Sequence, residues 1–382
     1  MSAGGLPNIT PRRPWKRSSA MSGIATTRPA GFLEVLRPTG EETARGVSFV
    51  ICCHNSATRL PPTLDHLMAQ RNTMAIPWEV VVVDNASSDN TSTVAKSHWR
   101  TDAPAPLRLI SEPTPGKTYA LNRAFVEAKY EYLCIIDDDN WVSPDWLTLL
   151  VETLDRHPDV AVCGGAGAGV FETAAPEWFA KYQRYFAVGE QAEQAGYLPS
   201  QEVLWGAGMG VRRSAWRQLM ETGFHPMLTC RKGSSLSSGG DAELCVAFSL
   251  AGWRLWYEPQ LRYKHFIPSG RMRWDYVRRL FRAFGEASVH FDSYAAVIQD
   301  QPVGWRERLR RTWLWNVQTA IRNLLRMRRT LLLSRRMPLE NDLEVIAVEG
   351  HLGRLQELLR QAGSYGRRRR AIRQWFRGVS HG

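Results

Sequence analysis

Three consecutive carboxylates, Asp137, Asp138 and Asp139, stand directly after the apolar run Leu133-Cys134-Ile135-Ile136. Side chains alternate along an extended strand, so Asp137 and Asp139 are expected on one side, roughly 7 Å apart at their bases, with Asp138 on the other. Two carboxylates so placed repel by about 2 kcal/mol at an effective dielectric of about 20 unless a cation lies close by. Oxygen donors of this kind suit Mg2+ or Mn2+ rather than zinc, and Mg2+ in such sites bridges carboxylates and substrate phosphates. Taken alone, an Asp triplet is also what a solvated turn or a helix cap contains.

The elements around the triplet bring further polar residues to equivalent places. VSFVICC (Val47–Cys53) reads as a first strand and is followed by His54-Asn55-Ser56. Residues 58–70 read as a helix entered through Pro61-Pro62, with Leu64, Leu67 and Met68 on one face. WEVVVVD (Trp78–Asp84) is a second strand, residues 91–99 are helical in pattern, and LRLISE (Leu107–Glu112) is a third strand. Pro115-Gly116 then form a turn before a helix over 117–128, and the run into the triplet is the fourth strand. This alternation predicts a parallel, doubly wound α/β sheet, in which ligands bind at the carboxyl ends of the strands. His54, Asn55, Asp84, Lys117 and the triplet therefore converge on one crevice. Asp84 is suited to accept hydrogen bonds from a base or a ribose hydroxyl; Lys117, at a helix start, either meets a phosphate or stands as a solvated cation. The chain has no GxxxxGK[ST] and no GxGxxG, which disfavours a P-loop NTPase or a dinucleotide enzyme.

The composition of the 382 residues, 44% hydrophobic and 23% charged, is that of a soluble protein. No apolar stretch reaches the roughly 20 residues that span a bilayer, and the first thirty residues lack a signal-like apolar centre, so the expected address is the cytoplasm. Residues 1–45 mix Pro, Arg, Ser, Thr and Gly without period and read as a flexible leader. Cys52, Cys53, Cys134, Cys163, Cys230 and Cys245 show no metal-binding spacing and read as reduced core residues. The charge is unevenly spread. From Gln301 onward there are 18 Arg against 6 Asp or Glu, which accounts for the whole formal net charge of +12. Between Trp305 and Leu333 the residues Leu309, Trp313, Val317, Ala320, Ile321, Leu324 and Leu331 recur with helical period, flanked by Arg306, Arg310, Arg322, Arg326 and Arg329. Arg367–Arg370 before Ile372, Trp375 and Phe376 repeat the theme. Such helices suit the surface of an anionic membrane, or form a subdomain with its arginines in water. The Arg-rich tail also admits a nucleic-acid binder, against which stand the charge-balanced residues 1–300, so no nucleic acid is expected.

VSFVICCHN, EVVVVDNASSDNT, PGKTYALNRAF and YLCIIDDDN, in this order, resemble the nucleotide-binding half of the family 2 glycosyltransferases. GAGMGVRRSAW (Gly206–Trp216) resembles the family's glycine-rich acceptor-side segment with its double-Arg strand, and SGGDAELCVAFSLAGWRLWYEP (Ser238–Pro259) resembles the segment that carries its general base. The resemblance spans residues 46–291. It implies a GT-A fold, a Rossmann-like, mostly parallel α/β sheet flanked by helices. Residues 46–141 form its nucleotide-binding half, 142–291 its acceptor half, and 292–382 an Arg-rich α-helical C-terminal extension.

Carried over by position, the resemblance puts Cys53, His54 and Asn55 at the strand end that lines the base, Asp84 on the base or ribose, and Lys117 and Asn122 near the base and diphosphate. Asp137 and Asp139 match the DxD pair and Asp138 matches the ribose-contacting Asp of some members, which leaves the division within the triplet open. Asp139 is the foremost metal ligand, with Asp137 and His265 as partners, His265 being either that ligand or an ordinary strand histidine. Asp241 matches the catalytic base, although Gly240 stands where the family often has Glu; Asp241 could equally cap the helix it opens. Arg271 and Arg273 either reach the diphosphate or stand as solvated charge. Trp178, Tyr182, Tyr185 and Phe186, at helical spacing, form core or an acceptor surface. The implied activity is inverting, metal-dependent sugar transfer from a nucleoside-diphosphate sugar, a UDP-sugar being the expected donor, to a saccharide or lipid-linked acceptor at the inner membrane face. The cofactor is Mn2+ or Mg2+. Transfer to a polyprenyl phosphate and an inactive sugar-nucleotide-binding module are the alternatives.

Overall fold

The computed structural model of the chain describes residues 43–72, 74–200, 202–228, 236, 239–298, 304–334 and 339–381. The leader expected over 1–45 lies almost wholly outside these residues, as does Cys230. The described residues divide into two compact units, one of Arg28–Ser235 with Gly240–Met272 and one that takes up the chain from Arg273.

The first unit is built on strands β1 (Ala44–Cys53), β2 (Trp78–Asn85), β3 (Leu107–Glu112), β4 (Tyr130–Ile136), β5 (Asn140–Val142), β6 (Val160–Phe171), β7 (Gly196–Tyr197), β8 (Met209–Arg212) and β9 (Arg254–Ile267). They form one sheet in the order β3-β2-β1-β4-β8-β6-β9-β5, with β7 on β9. The β3-β2-β1-β4 half is parallel throughout. Beyond β4 the sheet is mixed, for β8 runs antiparallel to both β4 and β6, and β6 pairs with β9 in parallel. The parallel half owes its form to the crossover helices α1 (Leu60–Met68), α2 (Thr91–His98) and α3 (Lys117–Glu127), and α4 (Trp146–Arg156) follows β5. Val80, Val81, Val82 and Val83 have no exposed surface, and this burial on both faces explains why the run is apolar without alternation.

α1 begins at the two prolines, which are tolerated there because the first N–H groups of a helix have no intrahelical acceptor. It lays Leu60, Leu64 and Leu67 against the sheet in one core with Trp146, Leu147 and Leu150 of α4. Full burial of such side chains stabilises by roughly 1.5–3 kcal/mol each. Two further helices, α5 (Arg213–Glu221) and α6 (Gly240–Leu250), complete the unit. The double arginine ties β8 to helix ends. Arg212 donates to the carbonyls of Leu154, His157 and Val160, and Arg213 to those of Phe125 and Val126, so each closes the C-terminal turn of a helix that leads into a strand.

The second unit contains α7 (Trp274–Ile298), α8 (Trp305–Arg310), α9 (Trp313–Arg326), α10 (Arg328–Leu333), α11 (Leu343–Arg360) and α12 (Tyr365–His381). Its boundary at Arg273 falls before α7, whereas the sequence suggests one near 291. The cause is close packing of α7 on α11. A Cβ at Gly285 would lie 2.0 Å from the Gly350 carbonyl oxygen, and one at Gly353 would lie 1.9 Å from that of Arg282. Arg278 and Arg282 then meet the buried Glu349, and His290 meets Glu357. The tail is helical as expected, but 305–333 is three helices rather than one. Among the described residues no helix is long and apolar enough to cross a membrane.

Candidate active site

β4 ends at Ile136, so strand alternation does not extend through the triplet and its three carboxylates part company. Asp137 lies with Lys117 Nζ, 2.5 Å away, at the N-terminus of α3. Asp138 turns inward to receive Nε and one terminal nitrogen of Arg59 at 3.0 and 2.7 Å. Burial and the neighbouring Asp139 charge hold Asp138 above the usual carboxylate range, against the pull of Arg59. Asp139 is 2% exposed and accepts from the Asn140 side chain at 3.1 Å. It faces His265 Nε2 at 3.5 Å and Arg271 at 3.2 Å. Asp137 is therefore paired with Lys117, whereas Asp139 is paired with Arg271 and His265.

His265 reaches Asp139 because β5 pairs with β9 and sets Asn140 opposite His265. Its Nδ1 lies 2.7 Å from the carbonyl oxygen of Phe186. A carbonyl only accepts, so Nδ1 carries the proton, and in the neutral ring Nε2 presents its lone pair towards Asp139. A lone pair facing a carboxylate is a place for a cation, and Arg271 donates to that same Nε2 at 3.2 Å. One carboxylate and one imidazole oriented by a backbone carbonyl suit Mn2+ or Mg2+. Among the described residues no three His, Cys, Asp or Glu side chains gather as a metal cage, so a cation held by this pair would complete its shell from other oxygen donors. The aromatic segment that carries Phe186 is core on Trp178, Tyr182 and Phe186, each at most 5% exposed.

At the β1 and β2 ends the polar residues fasten the loops. Both oxygens of Asp84 are engaged, one by the Ser87 N–H of its own loop at 3.1 Å and the other by the Ser92 hydroxyl in the first turn of α2. Asn55 is exposed, with φ +50°, and its Oδ1 accepts from the backbone N–H groups of Ser88 and Asp89 at 2.8 and 3.3 Å. His54 is exposed, with Nδ1 2.8 Å from the Asn85 carbonyl oxygen. Cys53 is 1% exposed within the apolar core, and Cys52, one position earlier, is partly exposed. Alternation along β1 thus turns Cys52 towards the site and Cys53 away from it. Asn122 is not with the others; it lines a shallow groove on the outer side of α3 with Glu112, Tyr119, Arg123, Val126 and Glu127.

Asp241 sits in the first turn of α6 and lies against Gly206, where a Cβ would fall 2.2 Å from its Oδ2. Only glycine leaves room for that carboxylate. Cys52 places Asp241 relative to the rest. Burial foremost pushes its thiol up to about 12, and the charges of Lys117, Asp137, Asp138 and Asp241 all act on it, Lys117 in the opposite sense. The charges of all four groups therefore reach Cys52, at the carboxyl edge of β1.

Residues 48–220 match the family described as Glycosyl transferase family 2. The chain carries a family 2 glycosyltransferase domain. Glucosyl-dolichyl phosphate glucuronosyltransferase of Haloferax volcanii is 24% identical over 244 residues, which are 62% of this chain and 74% of that one. Poly-beta-1,6-N-acetyl-D-glucosamine synthase of Staphylococcus epidermidis is 24% identical over 126 residues, 32% of this chain and 29% of its own length. The chain thus spans less than a third of that relative. Among solved structures, a mannosyltransferase from Pyrobaculum calidifontis in complex with GDP-Man and Mn2+ is 16% identical, with 91% of both chains covered and a TM-score of 0.49.

Within the glycosyltransferase domain, several residues that hold the site are given no role of their own in the sequence reading. Asn85 is 5% exposed; its side chain donates to the carbonyls of Glu112 and Thr114 and accepts the Gly116 N–H at 2.7 Å. It thereby fixes the turn that launches α3 and aims Lys117. Arg59 fixes Asp138, and Gly206 seats Asp241. The signal for Asn85 was a polar residue directly after a strand, and that for Gly206 a glycine run facing a lone helix-start carboxylate.

Proposed function

We propose that the chain is an inverting glycosyltransferase that moves a sugar from a nucleoside-diphosphate donor, foremost a UDP-sugar, to a saccharide or lipid-linked acceptor at the inner membrane face, in polysaccharide or glycoconjugate synthesis. The observation that carries this reading is the Lys117–Asp137 ion pair at the carboxyl edge of the sheet, with Asp241 among the charges that reach the same strand-end residue, Cys52. A lipid-linked acceptor is supported by the relative whose name describes glucuronosyl transfer to glucosyl-dolichyl phosphate.

On this reading the loops after β1 and β2, with His54 and Asp84, receive the nucleoside. Lys117 lies where the dipole of α3 favours an anion, and meets the diphosphate; Asp137 holds Lys117 and offers its second oxygen to the ribose. Asp139 and His265 would hold Mn2+ or Mg2+, which when bound would supply positive charge against the departing diphosphate. Asp241 accepts the proton of the acceptor hydroxyl as its oxygen bonds to the anomeric carbon. The bond from that carbon to the phosphate oxygen breaks on the opposite side, the configuration inverts, and no covalent intermediate with the protein forms.

Two variants test the assignment. Asp241→Asn is expected to lower kcat by roughly 10²–10⁴-fold, with donor affinity by calorimetry unchanged. Asp139→Ala is expected to abolish the dependence of donor binding on Mn2+ in the same measurement. Full turnover in the first variant, or an intact Mn2+ dependence in the second, overturns the roles given to these residues.

A further inference from the structure

We propose that the exposed apolar side chains of α9 and α10, Leu314, Ile321 and Leu325 with Leu332, are a docking surface for an anionic lipid bilayer. The proposal deepens the membrane-face part of the proposed function and rests on that part alone, not on the catalytic assignments. The apolar positions read from the sequence are largely consumed inside the helical unit. Val317 and Ala320 pack with Val289, Leu358 and Tyr365 in a single core, and Leu324 is also buried. A helix seated by that face needs only polar residues on its other side. α9 is instead apolar there too: Leu314 is 57% exposed, Ile321 42% and Leu325 60%, and in α10 Leu332 is 61% exposed. The spacing of seven and four keeps Leu314, Ile321 and Leu325 on one stripe of α9, and Leu332 stands exposed on the helix that follows.

The charge around the row selects the occupant. Arg322, Arg326, Arg328 and Arg329 are exposed among the leucines. From Arg308 to Leu339 the chain holds nine Arg and not one Asp or Glu. A second copy of the chain, applied through the same face, would bring like charges together. Leu and Ile have neither a ring to stack on a base nor a group to read one, so a nucleic acid would engage only the arginines. Lipid uses both features at once, headgroup phosphates on the guanidinium groups and acyl chains on the leucines. Trp305, 69% exposed on α8, adds a side chain suited to the interface.

The test is co-sedimentation of the full chain with phosphatidylcholine vesicles, with and without phosphatidylglycerol. The wild type is expected to sediment with the anionic vesicles alone and to be released by high salt. Leu325→Asp is expected to lower the partition coefficient by roughly tenfold or more. Arg322→Gln together with Arg326→Gln is expected to lower it by roughly 25-fold, about fivefold per charge. Because the substituted side chains are exposed, circular dichroism and the melting midpoint of each variant stay at wild-type values. Wild-type protein left in the supernatant overturns the proposal, as does a Leu325→Asp variant that sediments like wild type. So does a wild-type dimer that this variant dissociates, or vesicle-independent RNA binding that it abolishes. Donor binding on the same preparations separates the two claims: donor binding without vesicle binding refutes the docking face alone, and the reverse refutes the catalytic reading alone.

Discussion

On the β1–β4 half of the sheet the site residues stand at the end of their own strand or at the start of the next helix. Lys117 opens α3, Asp137 closes β4, and His54 and Asp84 terminate β1 and β2. On the other half, Asp241 and His265 are held by partners far away in the chain. Gly206 leaves the space for Asp241, and the Phe186 carbonyl orients His265. Local placement follows from where a strand leaves the core, a property of the apolar run itself. Distant placement depends on two backbones approaching closely, and a single substitution can spoil it without unfolding either element.

The contrast can be broken or sharpened by substitution, and the largest effect is expected at Gly206. Gly206→Ala sets a Cβ 2.2 Å from Asp241 Oδ2, and a displaced carboxylate costs kcat roughly 100-fold, with donor affinity held within about twofold. Steady-state kinetics beside calorimetry check this, and a variant with wild-type kcat would erase the distinction between the halves. Asn85→Ala acts on the other half. Losing the bonds to Glu112, Thr114 and Gly116 is expected to cost about 1–3 kcal/mol in chemical denaturation. It also weakens donor binding while kcat at saturating donor is kept. The smallest effect is expected at Tyr263, whose hydroxyl donates at 2.9 Å to the Ala187 carbonyl, beside the residue that orients His265. Tyr263→Phe should weaken Mn2+ binding by roughly fivefold, the equivalent of about 1 kcal/mol, and leave metal-free nucleotide binding unchanged. A loss of nucleotide affinity would place that loop on the other side of the contrast.

Legibility in the sequence follows the same division. The continuous Val run of β2 and the proline entry to α1 announce elements whose ends lie within a residue or two of expectation, because burial on both faces and the helix start leave plain marks. Alternation would put Asp138 opposite its neighbours, but the strand ends at Ile136, and what holds Asp138 is its ion pair with Arg59. Cys53 fails by one position: the resemblance aligns it with the site, but the side chain that β1 turns outward is Cys52. Asp137 and Asp139 part because the strand stops before them, and no pattern in an Asp triplet marks that stop. Gly285, Gly350 and Gly353 look like weak points in helices when read singly. Only the pairing of α7 with α11 makes them contact residues and moves the boundary of the units to Arg273. The amphipathic tail was seen as one apolar face, although α9 has two, one turned to its own unit and one to the surroundings.

Cys52 stands among the groups assigned to both substrates, and its thiol is held at about 12. A thiol held so high is protonated at neutral pH, and the thiolate is the nucleophilic form. A sulfur beside an activated sugar is a hazard, since capture of the anomeric carbon would leave a thioglycoside fixed in the crevice. Its desolvated place among carboxylates keeps this sulfur in the weakly nucleophilic thiol form. An alkylating reagent applied at neutral pH should for the same reason leave Cys52 unlabelled in the folded protein.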